Sequence, residues 1–248
     1  MTVSNYIDYT LLKPTATSRD IIELCNTAKE NNFYSVCVNG CYVALASQLL
    51  EDSKVKVCSV VGFPLGNMAT ASKVYEAEKA IEDGADEIDM VINLSFLKSK
   101  NYVAVLKDIS DVKLAIGKTP LKVILEVSEL NKNEIIKACE ICLDAKADFV
   151  KTSTGFSKSG ATLTAVKIMK KTVKNRAKIK ASGGIRDFDT AIKYIDAGAD
   201  RIGTSAAIKS PEDNRSIRNT RIFEHYIENV GNSGKPEKSN SERLTKDS

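Results

Sequence analysis

Two lysines end two runs that otherwise read as buried strands. Lys151 lies in Phe149-Val150-Lys151-Thr152-Ser153-Thr154-Gly155-Phe156, and Lys180 in Ile179-Lys180-Ala181-Ser182-Gly183-Gly184-Ile185-Arg186. An unpaired ammonium is costly to desolvate, so strand interiors seldom carry one. A neutral lysine amine attacks carbonyls, and a second cation nearby is one way to keep it neutral. The chemistry to expect is imine formation. Lys151 is the expected nucleophile, because its strand opens into a mouth of hydroxyl groups. Lys180, on the neighbouring strand, is the expected tuning cation. Asp89, flanked by Ile88 and Met90 in Glu87-Ile88-Asp89-Met90-Val91-Ile92-Asn93, is the expected proton shuttle.

Plainer readings stand beside these. A lone strand-end lysine is commonly a snorkelling surface group. Asp89 alone fits a structural ion pair or a helix cap as well as it fits catalysis. Two such lysines beside hydroxyl- and glycine-rich turns make the stronger pattern.

The turns carry a second signal. Ser182-Gly183-Gly184 follows the seventh candidate strand and Gly203-Thr204-Ser205 the eighth. Glycine at a strand-to-helix turn exposes backbone N–H groups that cradle phosphate, and barrels often bind phosphate after these two strands. Arg186 would add a charged contact. A phosphorylated substrate is the expectation.

These residues need a scaffold. Candidate strands are Ile7–Thr10, Tyr34–Val38, Val55–Val61, Glu87–Ile92, Lys122–Val127, Phe149–Thr152, Lys178–Ala181 and Arg201–Gly203. Helix-period segments alternate with them, among them Thr17–Asn31, Ser72–Asp83 and Asn101–Ile116. Asn131 with Glu134 makes a capping pair for a further helix. Gly84-Ala85-Asp86, Lys146-Ala147-Asp148 and Gly198-Ala199-Asp200 each join a helix end to a strand start, the echo of a repeated unit. Strands apolar on both faces belong in a covered parallel sheet. A single (β/α)8 TIM barrel over residues 1–230 is favoured over an open doubly wound sheet. Residues 231–248 hold one large apolar residue, Leu244, and read as a disordered polar tail. In a barrel, chemistry collects at strand ends. There the sequence offers Asp8 or Thr10, Cys37 or Asn39, Gly62, Asp89 with Asn93, Glu126, Lys151 with Thr154, Lys180, and Gly203 with Ser205.

Composition excludes several classes. Net charge is +4 from 36 basic and 32 acidic residues, too balanced to argue for nucleic acid. No stretch approaches the roughly 20 apolar residues of a membrane span, and the N-terminus lacks a signal-peptide pattern, so a cytoplasmic address is expected. The six cysteines then read as reduced thiols. Cys139 and Cys142 share the apolar stripe of a helix and read as core. Cys37 reads as core too, although near the mouth it would meet electrophiles. The single histidine, His225, sits among charged neighbours, and no metal site is expected. Lys167, Lys170, Lys171 and Lys174 read as a solvated helix face.

The same segments resemble a known family. Val150–Phe156, Lys180–Arg186, Glu87–Asn93, Val36–Asn39, Val61–Pro64, Ile202–Ser205 and the opening Ile7–Pro14 are similar, in order, to deoxyribose-phosphate aldolase. The resemblance implies a class I aldolase that needs neither metal nor cofactor. It would cleave 2-deoxy-D-ribose 5-phosphate reversibly to D-glyceraldehyde 3-phosphate and acetaldehyde. It makes Lys151 the Schiff-base lysine, Asp89 the proton relay and Lys180 the tuning lysine, with Asp8 beside Lys180. Gly155, Gly183, Gly184, Gly203 and Ser205 match phosphate-loop positions, and Thr154 and Arg186 adjoin them. It also implies a homodimer or tetramer acting on small sugar phosphates and aldehydes. Tyr9 stands where many relatives have histidine, and Phe156 where some place a phosphate-contacting lysine. The alternatives are another imine-forming barrel aldolase with a different sugar phosphate, or a non-catalytic sugar-phosphate sensor.

Overall fold

The computed structural model describes residues 2–209. Eight parallel strands close into a barrel in sequence order. They are β1 (Ile7–Leu11), β2 (Ser35–Val38), β3 (Lys56–Val61), β4 (Glu87–Val91), β5 (Leu121–Ile124), β6 (Phe149–Lys151), β7 (Lys178–Ser182) and β8 (Arg201–Thr204). The ring closes where β8 pairs with β1, Gly203 opposite Asp8. Outside lie α1 (Ser18–Glu30), α2 (Val43–Leu50), α3 (Thr70–Glu82), α4 (Leu94–Lys98), α5 (Tyr102–Ile116), α6 (Lys132–Asp144), α7 (Leu163–Val173) and α8 (Phe188–Asp196). No helix among the described residues is long and apolar enough to cross a membrane. His225, the last residues of the expected barrel domain (210–230) and the tail from 231 lie outside the described residues.

Local chemistry sets the boundaries. Thr17 with Asp20, and Asn131 with Glu134, form capping boxes that satisfy the first free N–H groups of α1 and α6. Asn101 caps α5, which stops at Gly117. The Ala-Asp echo has a mechanical purpose. Asp86, Asp148 and Asp200 each accept from the backbone N–H of Val57, Leu121 and Ile179, at 2.8, 2.9 and 2.9 Å. Each aspartate thus pins the start of its own strand to the start of the preceding one. The residue two before it is left-handed in all three cases: Gly84 and Gly198 at φ 102° and 107°, Lys146 at 58°. Lysine accepts at 146 a conformation that suits glycine better.

The main apolar core lies between barrel and helices, where Ile88, Met90, Ile109, Val112, Val123, Val150, Val166, Met169 and Ile202 are buried. Cys139 and Cys142 belong to it as read. Burial pushes the Cys139 thiol up to about 12, which suits an inert packing group. Tyr9 also faces outward, its ring 5.4 Å from that of Phe33. A buried pair passed unread: Lys73 lies 2.5 Å from Asp108 and donates to the carbonyl of Val91, tying α3 and α5 to the end of β4.

Two expectations shift. The fifth strand, read as Lys122–Val127, ends at Ile124 because Glu126 turns left-handed at φ 55°, ψ 64° and starts a single 3-10 turn. The short α4 was not foreseen; Asn93 caps it by accepting from Phe96 N–H at 3.0 Å.

Candidate active site

Strand alternation turns every second residue inward, and here those residues carry charge. Lys151 opposes Lys180 in the β6–β7 register, Lys180 opposes Arg201 on β8, and Asp89 opposes Lys122 on β5. A barrel interior is ordinarily filled by branched apolar side chains. This one holds Asp8, Glu87, Asp89, Lys122, Lys151, Lys180 and Arg201, all buried.

Asp89 is the hub. Its Oδ2 accepts from Lys151 Nζ at 2.7 Å and from Lys180 Nζ at 2.8 Å. Its Oδ1 accepts from Lys122 Nζ at 2.9 Å and from Cys58 Sγ at 3.1 Å. The two lysines singled out from the sequence therefore meet at one oxygen. Asp8 lies 2.5 Å from Lys180 and accepts from Arg201 at 2.8 Å and from Ser35 Oγ at 2.7 Å. Burial raises the Asp89 carboxyl, but Lys122, Lys151 and Lys180 outweigh it and hold the group well below the usual carboxylate range. Burial likewise opposes charge on Lys180, yet Asp8 and Asp89 hold that ammonium above its ordinary value.

Lys122, Glu87, Arg201 and Cys58 were not anticipated. Lys122 bridges Asp89 and Glu87, 2.7 Å from the latter, and Arg201 lies under the Tyr34 ring. A signal existed. Glu87 and Asp89 are two apart on one strand, so if Asp89 faces inward Glu87 must as well. Lys122 stands at a strand start, where a charge usually reads as rim. Its partners come from β4, the neighbouring strand, and only the pairing of the two strands supplies them.

Cys37 is fully buried beside Cys58, Leu12 and Val60, beneath the mouth and not at it. Cys37, Cys58 and Asp89 place their donor atoms within 4.8 Å of one another, a trio that linear spacing does not show. Three ammoniums already bonded to Asp89 make that spot unfavourable for a cation.

Above the charged floor opens a cavity of about 240 Å³. Lys151 reaches it. Thr10, Lys13, Thr154, Gly155, Phe156, Gly183, Gly184, Arg186, Gly203 and Ser205 line it. Asp89 and Lys180 sit beneath Lys151, out of the lining. The phosphate-loop residues expected from the sequence therefore border one cavity, while Phe156 packs edge-on to Phe63 with centroids 5.2 Å apart. The turn at Gly183 is locked from outside: a methyl group at Gly160 would sit 2.1 Å from the Gly183 carbonyl oxygen. Ala161 N–H also donates to the carbonyls of Ser182 and Gly183, at 3.0 and 3.1 Å. Gly160→Ala is therefore expected to displace the 183–184 turn and raise KM for a phosphorylated substrate roughly tenfold, with little change for an unphosphorylated one. Steady-state kinetics on both checks this.

Comparison with known proteins gives the same direction. Residues 2–209 match the DeoC/LacD family aldolase profile. The chain is 53% identical over 207 residues to the deoxyribose-phosphate aldolase of Mycoplasma capricolum subsp. capricolum, covering 84% of this chain and 93% of that one. It superposes on QR15, an aldolase, with TM-score 0.83 and 47% identity, over 88% of this chain and 98% of that one. It is also similar to the tetrameric deoxyribose phosphate aldolase of Aeropyrum pernix, with TM-score 0.79 and 37% identity, over 87% and 92%. A barrel with this charged floor, matched across its whole described length, places the chain in the DeoC/LacD family of aldolases.

Proposed function

We propose that the protein is a class I aldolase that cleaves 2-deoxy-D-ribose 5-phosphate reversibly to D-glyceraldehyde 3-phosphate and acetaldehyde. The observation that carries this is the meeting of Lys151 and Lys180 on Asp89 Oδ2, directly below a cavity walled by glycine turns. The sequence relatives named above act on that substrate by name, and the residues present suit it.

Lys151 Nζ attacks the C1 aldehyde of the open-chain sugar after its proton passes to Asp89 Oδ2. Water leaves the carbinolamine with a proton supplied from Lys180, which its carboxylate partners keep charged. The resulting iminium withdraws electrons from C2. The C3 hydroxyl gives its proton to Asp89, the C2–C3 bond breaks, and glyceraldehyde phosphate departs. The enamine takes a proton at C2, water adds to the imine, and acetaldehyde is released. Asp89 is the proton carrier between amine, carbinolamine and carbon, and Asp8 positions Lys180. The residues present supply every proton and the electron sink, so the reaction calls on no cofactor or metal.

The phosphate fits the opposite wall. Gly183 and Gly184 are left-handed at φ 91° and 82°, and they line the cavity with Ser205 and Arg186. Assembly into a homo-oligomer fits the exposed Tyr75 and Leu114 on α3 and α5.

Borohydride trapping tests the reading. Acetaldehyde or deoxyribose 5-phosphate with borohydride should leave a reduced adduct on Lys151 in the peptide map. An adduct confined to surface lysines, or none, would overturn it.

A further inference from the structure

Glu126 is a buried acidic residue outside the mechanism above. It stands just past β5 in the left-handed region at φ 55°, a conformation that disfavours a residue with a side chain. Its Oε2 accepts two bonds from one residue, Thr154: the backbone N–H at 3.2 Å and the side-chain hydroxyl. Its Oε1 is buried and has no hydrogen-bond partner among the described residues. The charged groups facing it are Lys151 on β6 and Glu129 in the following turn, the latter already held by Ser157 and Lys158.

The consequence falls on Thr154, which lines the cavity. A threonine hydroxyl has one proton to donate and two lone pairs. Here the proton goes to Glu126, and one lone pair accepts from Phe156 N–H at 3.0 Å. What remains is a single acceptor site of fixed direction.

We infer that Glu126 is a positioning residue, which locks the Thr154 hydroxyl as an acceptor for one substrate hydroxyl and so selects for it. This rests on the aldolase reading above. With C1 held at Lys151 and the phosphate at the 183–184 turn, the C3 oxygen must reach the Asp89–Lys180 floor. Thr154, three residues beyond Lys151 and on the mouth side, then faces the C4 hydroxyl. In the condensation direction that is the hydroxyl beside the carbonyl of D-glyceraldehyde 3-phosphate.

The experiment compares condensation of acetaldehyde with D-glyceraldehyde 3-phosphate and with 3-oxopropyl phosphate, which lacks that hydroxyl. The native enzyme should prefer the hydroxylated acceptor by roughly tenfold in kcat/KM, the worth of one well-placed hydrogen bond. Thr154→Val and Glu126→Leu should each remove most of the preference, and the double variant should lose no more than either. Glu126→Gln should keep it within about twofold. Its carbonyl oxygen must face Thr154, because the reversed amide would set NH2 against the Thr154 N–H. Borohydride trapping of acetaldehyde on Lys151 shows that each variant retains a folded site. Should Glu126→Leu fail to fold, Glu126→Asp, one methylene too short to reach Thr154, replaces it with the same expectation. Loss of preference in Thr154→Val with full preference in the Glu126 variants overturns the inference, as does full preference in all. A native enzyme that condenses neither acceptor overturns the aldolase reading and this inference with it.

Discussion

On the proposed mechanism, Lys151→Ala should leave a folded barrel in which cleavage of deoxyribose 5-phosphate falls by at least about four orders of magnitude, the scale of losing a covalent nucleophile. The fold survives for an electrostatic reason. On the barrel floor the cations Lys122, Lys151, Lys180 and Arg201 face the carboxylates Asp8, Glu87 and Asp89. Lys151 is the surplus cation, and it is the one that borders the cavity. Without it the remaining charges balance, and Asp89 keeps Lys122 and Lys180 as partners at 2.9 and 2.8 Å. Melting temperature should change by only a few degrees while turnover vanishes. A variant that loses both together would assign Lys151 to the scaffold instead.

Asp89→Asn behaves oppositely. It removes the one carboxylate shared by three buried ammoniums. Breaking a buried pair by deleting one partner costs about 3–5 kcal/mol, because the abandoned charges stay desolvated. Activity and stability should therefore fall together at pH 7. The pH dependence separates this from a packing defect. Folding holds the Asp89 carboxyl well below its usual range, burial being outweighed by Lys122, Lys151 and Lys180. A depressed carboxyl stabilises the fold fully above its unfolded value, near pH 4, and that stabilisation is lost as pH falls through the folded value. Urea denaturation at pH 7 and at pH 3 should show a gap between native protein and Asp89→Asn that narrows in acid. An equal gap at both values would remove Asp89 from the centre of the charge set.

Both predictions concern residues that could be picked from the chain, and the reason is local. Lys151, Lys180 and Asp89 each interrupt an apolar run, and desolvation makes such an interruption conspicuous whatever surrounds it. The alternation of strand and helix, the capping pairs and the glycine turns are likewise short-range, since a cap or a left-handed turn is settled within four residues. Those features determined the barrel and singled out Lys151, Lys180, Asp89 and the glycine turns.

Closure of the ring decided the rest. Lys122, Arg201 and Glu87 do not stand out along the chain; β4, β5 and β8 bring them under one another, because a charge balance is a sum over strands and is written in none of them. The early end of β5 has the same origin. Glu126 leaves the strand pattern to hold Thr154, a residue 28 positions away, and propensity over a short window cannot register that bond. Residue type and period are carried by the chain itself. Partnership between distant charges exists only once the backbone has folded them out of water.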